Sequence, residues 1–221
     1  MIRDKRKDKK YFEDYIACQA DRIYKKENKL IAVQNNPEKK ERINLSLVKY
    51  KVDMLIAQFS IGADAKKLKE YLEDAVNTAC NMTKLDYESA LVLISVSIML
   101  SDKESVKIIS KKHKDLVLED KLLNALSLFA EKDIVAWNGK FKILKVFEGL
   151  EDICHSCNKE EVLLNYLFKW YSNHKEASWY ESDKENNNTY VGYWSFESAA
   201  LAKIFSVSED KLKQNIFYPT I

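Results

Sequence analysis

Glycine and proline are scarce in this chain: four glycines (Gly62, Gly139, Gly149, Gly192) and two prolines (Pro37, Pro219) in 221 residues. A β-sandwich or barrel of this length needs many tight turns, and tight turns favour these two residues. Their scarcity argues for a few long elements joined by short connections, which means helices. Long apolar runs are missing too. The longest, Ala90 to Leu100, is interrupted by Ser95 and Ser97 and falls short of the roughly 20 residues that span a bilayer. It reads as a buried helix. The start is basic (Arg3, Lys5, Arg6, Lys7, Lys9, Lys10), but Glu13 and Asp14 break up the stretch that a signal peptide would keep apolar. These absences predict a cytoplasmic protein with no membrane partner, whose four cysteines are reduced thiols.

Catalytic patterns are lacking as well. None of the three histidines, His113, His155 and His174, stands in a pattern that puts it beside a nucleophile. There is no Gly-rich phosphate loop, and no Arg stands four to six residues before a His. Ser208 and Lys211 match a Ser-x-x-Lys spacing, but a helix cap accounts for the same serine. Cys154-His155-Ser156-Cys157 could clamp a metal, yet a structural zinc site takes four ligands and no second close pair is present. A redox role for that motif would need a βαβ setting. Neither a catalytic residue, a metal nor a cofactor is expected.

Apolar residues make up 46% and charged residues 32% of the chain, the balance of a globular protein. The net charge of +2 hides an asymmetry: residues 1–112 carry 23 Lys+Arg against 17 Asp+Glu, and residues 113–221 carry 13 against 17. A nucleic-acid binder shows a concentrated basic face. Here the acidic half could attract a basic partner; the plainer alternative is that both halves are ordinary solvated surface.

Helical periodicity runs through the whole chain. Phe12, Ile16, Ile23, Leu30 and Ile31 mark a first helix over about 4–35. Asn36-Pro37 opens a second that Gly62 ends, and Asp64 opens a third. Asp86 caps the apolar helix, and Ser101 with Glu104 forms a capping-box pattern. Further helices are expected over about 119–137, 140–154 and 158–172, the last opened by Asn158 and Glu161. Residues 174–190 read as an exposed polar loop. Ser195 then caps a helix to Phe205, and Ser208 caps another. The expected fold is all-α, a bundle of about ten helices. It divides into an N-terminal region (1–112) and a C-terminal region (113–221) packed as one continuous unit. The C-terminal third is rich in aromatics, from Trp170, Tyr171, Trp179 and Tyr180 to Phe217 and Tyr218. Such rings either pin an irregular segment to a core or form a recognition surface.

The string Tyr190-Val191-Gly192-Tyr193-Trp194-Ser195-Phe196-Glu197-Ser198, running on to Ile204, resembles the hallmark of the PoNi immunity proteins. Lys169-Trp170-Tyr171, Ser178-Trp179-Tyr180 and Phe217-Tyr218-Pro219 are similar to the family too, as are Arg3-Asp4 and Lys10-Tyr11-Phe12. Two places depart from the family pattern. Ser206-Val207-Ser208-Glu209-Asp210 stands where the family has Gly-Ile/Leu-Asp-Asp, and Pro219-Thr220-Ile221 where it continues Tyr-Tyr-Pro-Tyr-Asp-Leu. The resemblance implies an all-helical, non-enzymatic protein that binds and neutralises a PoNe toxin, a DNase delivered in bacterial antagonism. On that reading Gly192, Tyr193, Trp194, Ser195, Phe196 and Glu197 are mainly structural: Gly192 for its backbone freedom, Ser195 as a cap, Trp194 and Phe196 as anchors. Partner contacts are expected at Glu148, Glu151, Asp152, Glu160, Glu161, Glu181, Asp183 and Glu185, because DNases carry basic phosphate-binding faces. A helical adaptor unrelated to toxins, or an enzyme with an undetected site, are the alternatives, and oligomeric state is left open.

Overall fold

Capping residues set where the helices begin. Asp8, Asn36, Asp64, Asp102, Asp120 and Asn158 each accept a backbone N–H from the first turn that follows, satisfying donors a helix start leaves orphaned. In this computed structural model, residues 2–185 and 187–221 are described. Their elements are α1 (Lys9–Ala32), α2 (Pro37–Ile61), α3 (Ala65–Cys80), α4 (Tyr87–Met99), α5 (Lys103–Lys112), α6 (Lys114–Leu118), α7 (Lys121–Lys132), α8 (Leu144–Phe147), α9 (Lys159–Asn173) and α10 (Phe196–Ile204). Two 3-10 turns, Glu148–Leu150 and Leu212–Gln214, complete the set. No strand occurs among the described residues, so the fold is all-α. No helix among them is long and apolar enough to cross a membrane.

The chain forms two compact units. The first comprises Met1–Ser89 and Glu181–Gly192, the second Ala90–Tyr180 and Tyr193–Ile221. In the first, α2 packs against both α1 and α3. Phe12, Val48, Leu55, Phe59, Leu68, Leu72 and Val76 fill its core, each contributing about 1.5–3 kcal/mol by leaving water. Lys51, 5% exposed, ties the three helices together through Glu27 of α1 at 2.8 Å and Asp74 of α3 at 2.7 Å. In the second, α5, α6 and α10 pack on α7, while α8 and α10 pack on α9. Ser110 Oγ of α5 donates to Ser127 Oγ of α7 at 2.8 Å. Seven consecutive residues of α10, Phe196 to Ala202, are buried.

Several boundaries differ from the expectation. Residues 3–7 are not helical, because the Arg3 and Asp4 amides donate to the Ser60 carbonyl at 2.9 and 3.1 Å. Ser101 does not cap α5. It takes a left-handed conformation (φ 59°), and the cap is Asp102, which accepts from the Ser105 amide at 3.1 Å. The helix expected over 119–137 stops at Lys132, with Asp133 left-handed (φ 54°). The one expected over 140–154 shrinks to α8 and a 3-10 turn. Its apolar spacing is real, since Val146, Phe147, Leu150 and Ile153 are buried. Residues 140–142 are committed elsewhere: Lys140 O accepts from the Lys121 amide at 2.9 Å, and the Lys142 amide donates to Asp120 at 2.7 Å. After Ser208 there is only the Leu212–Gln214 turn, and the Ser208 hydroxyl engages Asp210 instead.

Candidate functional site

In the first unit, Tyr190 and Val191 are held by the two ends of a polar knot. Tyr190 and Asp4 are both almost fully buried, and the Tyr190 hydroxyl donates to Asp4 Oδ2. Burial, and then the Asp4 charge, push the Tyr190 phenol far above its ordinary pKa, so it stays a neutral donor. Arg6 closes the other side of Asp4, with its amide at 2.9 Å and its guanidinium at 3.3 Å. The Tyr11 hydroxyl donates to the Tyr190 carbonyl and accepts from the Tyr190 amide, both at 3.0 Å. Ser60 Oγ donates to the Val191 carbonyl at 2.6 Å. Arg3 donates from Nη1 to the Phe59 and Ala63 carbonyls, both at 2.9 Å. Phe59 lies in the last turn of α2 and Ala63 just beyond its end, so the cation faces the negative end of the helix dipole. Gly192 follows with φ 125°, a conformation that side chains rarely adopt.

In the second unit, the knot is built on Glu197, 4% exposed. Its Oε1 accepts from Tyr166 Oη at 2.7 Å, Trp170 Nε1 at 2.7 Å and Ser195 Oγ at 2.6 Å. A buried carboxylate is tolerable only when hydrogen-bonded. Here three neutral donors meet one oxygen, and the carboxylate lies in the first turn of α10, where the helix dipole favours negative charge. Ser195 is therefore not a side-chain cap, contrary to the sequence expectation. Its hydroxyl serves Glu197, and its amide donates to the Phe217 carbonyl at 2.8 Å. Tyr193 and Phe196 are each 2% exposed, whereas Trp194 between them is only half-buried.

The aromatic-rich segment stacks on this knot. Trp170 lies on Trp179 (centroids 5.4 Å apart, 19° between planes), and Tyr171 sits between Tyr180 (4.6 Å) and Phe217 (5.3 Å, 5°). His174 Nδ1 lies 2.7 Å from the Trp170 carbonyl. These contacts make turns of what reads as an open loop between residues 174 and 180.

Family models match nearly the whole chain: that of "PoNe immunity protein (PoNi), N-terminal" over residues 3–111, and that of "PoNe immunity proteins (PoNi), C-terminal" over residues 118–220. The chain belongs to the PoNi family. No curated protein and no solved structure matches it. The PoNi resemblance read at both ends of the chain thus falls on residues that bond to one another. Asp4 and Tyr11 meet Tyr190 in one unit; Trp170, Ser195 and Glu197 meet in the other.

The eight candidate carboxylates fall into separate places. Glu148, Glu151 and Asp152 are exposed on the 3-10 turn and the residues after it. Glu151 also pairs with buried Lys121, and its carbonyl accepts from Trp137 Nε1 at 2.9 Å. Glu160 and Glu161 occupy the first turn of α9, with Glu160 2.7 Å from Lys211 and Glu161 bonded to Asn158. Glu181, Asp183 and Glu185 belong to the other unit, with Glu181 2.6 Å from Lys184. The charge asymmetry follows chain order and not the compact units: the first holds 20 Lys+Arg against 18 Asp+Glu, the second 16 against 16.

Among the described residues no group of three or more His, Cys, Asp or Glu could hold a metal ion. The four cysteines are free thiols, and burial raises the pKa of Cys154, which disfavours the reactive thiolate. Sequence reasoning gave no role to Lys51, Lys121 or Asp53. Burial pushes the Asp53 carboxyl up to about 6, with Lys49 and Arg22 opposing the shift and Asp86 and Glu88 adding to it. No sequence pattern marks these residues, since each depends on which helices pack together.

Proposed function

We propose that this chain is an immunity protein that binds a cognate PoNe nuclease toxin by direct protein–protein contact and neutralises it in the cytoplasm without catalysis of its own. The match to both PoNi parts along the chain carries this reading. On it, the two knots hold the scaffold, and exposed carboxylates meet the basic face with which a nuclease binds phosphate. Charge of this kind acts mainly on association rate and salt dependence. The contact is assigned to local groups, Glu148/Glu151/Asp152, Glu160/Glu161 and Glu181/Asp183/Glu185, because neither compact unit is acidic as a whole.

The test is binding kinetics with a catalytically inactive PoNe nuclease domain, at low and high salt, for Lys substitutions made group by group. Single exposed pairs contribute only about 0–1 kcal/mol, so each group is changed together. Slower association for at least one group is expected, with unchanged melting temperature except in the first group, where Glu151→Lys also removes the partner of buried Lys121. Wild-type binding by every group, together with an affinity indifferent to salt, would remove the carboxylates from the interface. No binding by the wild-type chain would remove the function itself.

A further inference from the structure

Helix α1 keeps one face against α2 and leaves the opposite face in water. Phe12, Tyr15 and Gln19 are buried, and Gln19 donates to the Tyr50 carbonyl of α2 at 3.0 Å. On the far side Ala17, Ala20, Tyr24, Asn28 and Ile31 are exposed, Tyr24 and Ile31 to 65% each. Their spacing of three, four, four and three residues places them in one stripe along a single helix. Its first half carries small side chains and its second half large ones. Charge divides at the same place. Residues 13–21 carry Glu13, Asp14 and Asp21 and no Lys or Arg. Residues 22–29 carry Arg22, Lys25, Lys26 and Lys29, and the one acid among them, Glu27, pairs with Lys51 of α2. Lys26 turns to the Tyr50 ring, which leaves Arg22, Lys25 and Lys29 exposed. Lys9 and Lys10, ahead of the stripe, pair with Glu13 and Asp14, and Asp21 pairs with Lys25. These pairs are exposed and contribute only about 0–1 kcal/mol each, so they yield to partners on another molecule.

We propose that this face pairs with the same face of a second copy of the chain, the two α1 helices running antiparallel and crossing near residue 23. A two-fold contact requires a self-complementary surface. Antiparallel pairing meets that requirement in both size and sign. Tyr24 and Ile31 of one copy lie beside Ala20 and Ala17 of the other, so each large side chain meets a small one. Asp21 faces Lys25, and Glu13 and Asp14 lie towards Lys29, so acid meets base at both ends of the contact. Parallel pairing would set ring against ring and acid against acid. A partner surface of a single sign would meet like charge at one end of the stripe. Two helices touching over about four turns bury less than the roughly 1,200–2,000 Å² of a stable interface. The dimer is therefore weak, with a Kd of about 10–100 μM. The pairing does not depend on the proposed immunity function.

The experiment is sedimentation of the full-length chain at low salt over concentrations from about 5 to about 500 μM, a range that brackets the expected Kd. Wild type is expected to pass from monomer to dimer across it. Tyr24→Lys and Ile31→Lys are expected to weaken association by about tenfold or more. Both change exposed side chains, so the melting temperature at the dilute end stays within about 2 °C of wild type. Asp21→Lys and Lys25→Asp each set like charges across the contact and are expected to weaken it singly. Mixed together they are expected to form a heterodimer, because each supplies the sign that the other lacks. Phe168→Lys, at a side chain 85% exposed on α9, is the control and dimerises as wild type. The proposal is overturned if wild type stays monomeric at the highest concentration, if Tyr24→Lys dimerises as wild type does, or if the two charge variants associate no better mixed than alone. A monomeric wild type whose binding to an inactive PoNe nuclease domain is lost in Tyr24→Lys would give the face to the toxin and overturn it as well.

Discussion

Glu197→Ala strips one acceptor from three buried donors, and its cost follows from their geometry. Tyr166, Trp170 and Ser195 are 1%, 4% and 0% exposed, and all three converge on Glu197 Oε1. A buried donor left without a partner costs about 1–3 kcal/mol, so the ceiling is roughly 3–9 kcal/mol. Water entering the vacated volume would satisfy some of these donors, which brings the expectation to about 3–5 kcal/mol. At roughly 2–4 °C per kcal/mol for a chain of this size, the melting temperature falls by roughly 6–20 °C. Thermal and urea unfolding, followed by circular dichroism and by tryptophan fluorescence, read this directly. A double-mutant cycle separates the network from simple loss of volume. Tyr166→Phe alone is expected to cost about 1–2 kcal/mol, but less than about 0.5 kcal/mol when Glu197 is already Ala, because its hydroxyl has then already lost the Glu197 carboxylate. Additive costs, or a Glu197→Ala protein within about 1 kcal/mol of wild type, would refute the claim that this carboxylate organises the C-terminal hallmark.

Asp53 has a raised folded-state pKa, about 6, so the folded state binds the extra proton and stability falls as pH rises from about 4 to about 6. A two-unit shift corresponds to up to about 3 kcal/mol, and the side chain's remaining contact with water reduces this. Asp53→Asn is expected to stabilise the protein by about 1–2 kcal/mol at pH 7 and by nothing measurable near pH 3.5. Urea midpoints at the two pH values check it, and an equal effect at both would contradict the burial argument. Phe196→Ala, at a ring 2% exposed, is expected to cost about 3–5 kcal/mol, and Trp194→Ala distinctly less, because Trp194 is only half-buried. Equal losses in parallel melts would show that Trp194 bears more of the packing than its burial indicates.

The helical class and most helix starts were legible because they are local. A cap needs an Asp or Asn followed by a first turn, and Asn36-Pro37, Asp64, Asp86 and Asn158 all act as the chain reads. Gly62 ends α2 in the left-handed conformation that its residue type favours. Family membership was legible for a related reason: the Gly192 to Glu197 string is contiguous. Local patterns misled wherever a distant partner claimed the backbone. Asp120 takes the Lys142 amide and so keeps residues 140–142 from beginning a helix. Ser195 looked like a cap because a serine before a helix usually is one, yet Glu197 accepts its proton once Tyr166 and Trp170 have gathered around it. Likewise, Arg3 reads as part of a basic start and Asp4 as the start of a helix, and only the approach of Ser60 and Tyr190 gives them their long-range partners. The charge asymmetry is a property of chain order, and between the compact units, with Glu181–Gly192 counted beside Met1–Ser89, it shrinks to 20 Lys+Arg against 18 Asp+Glu in one and 16 against 16 in the other. Periodicity and caps are set by neighbours within about four residues, so sequence alone determines them. Buried carboxylates, exposed aliphatic surfaces and the grouping of charges depend on contacts between residues far apart along the chain, and only tertiary packing decides those.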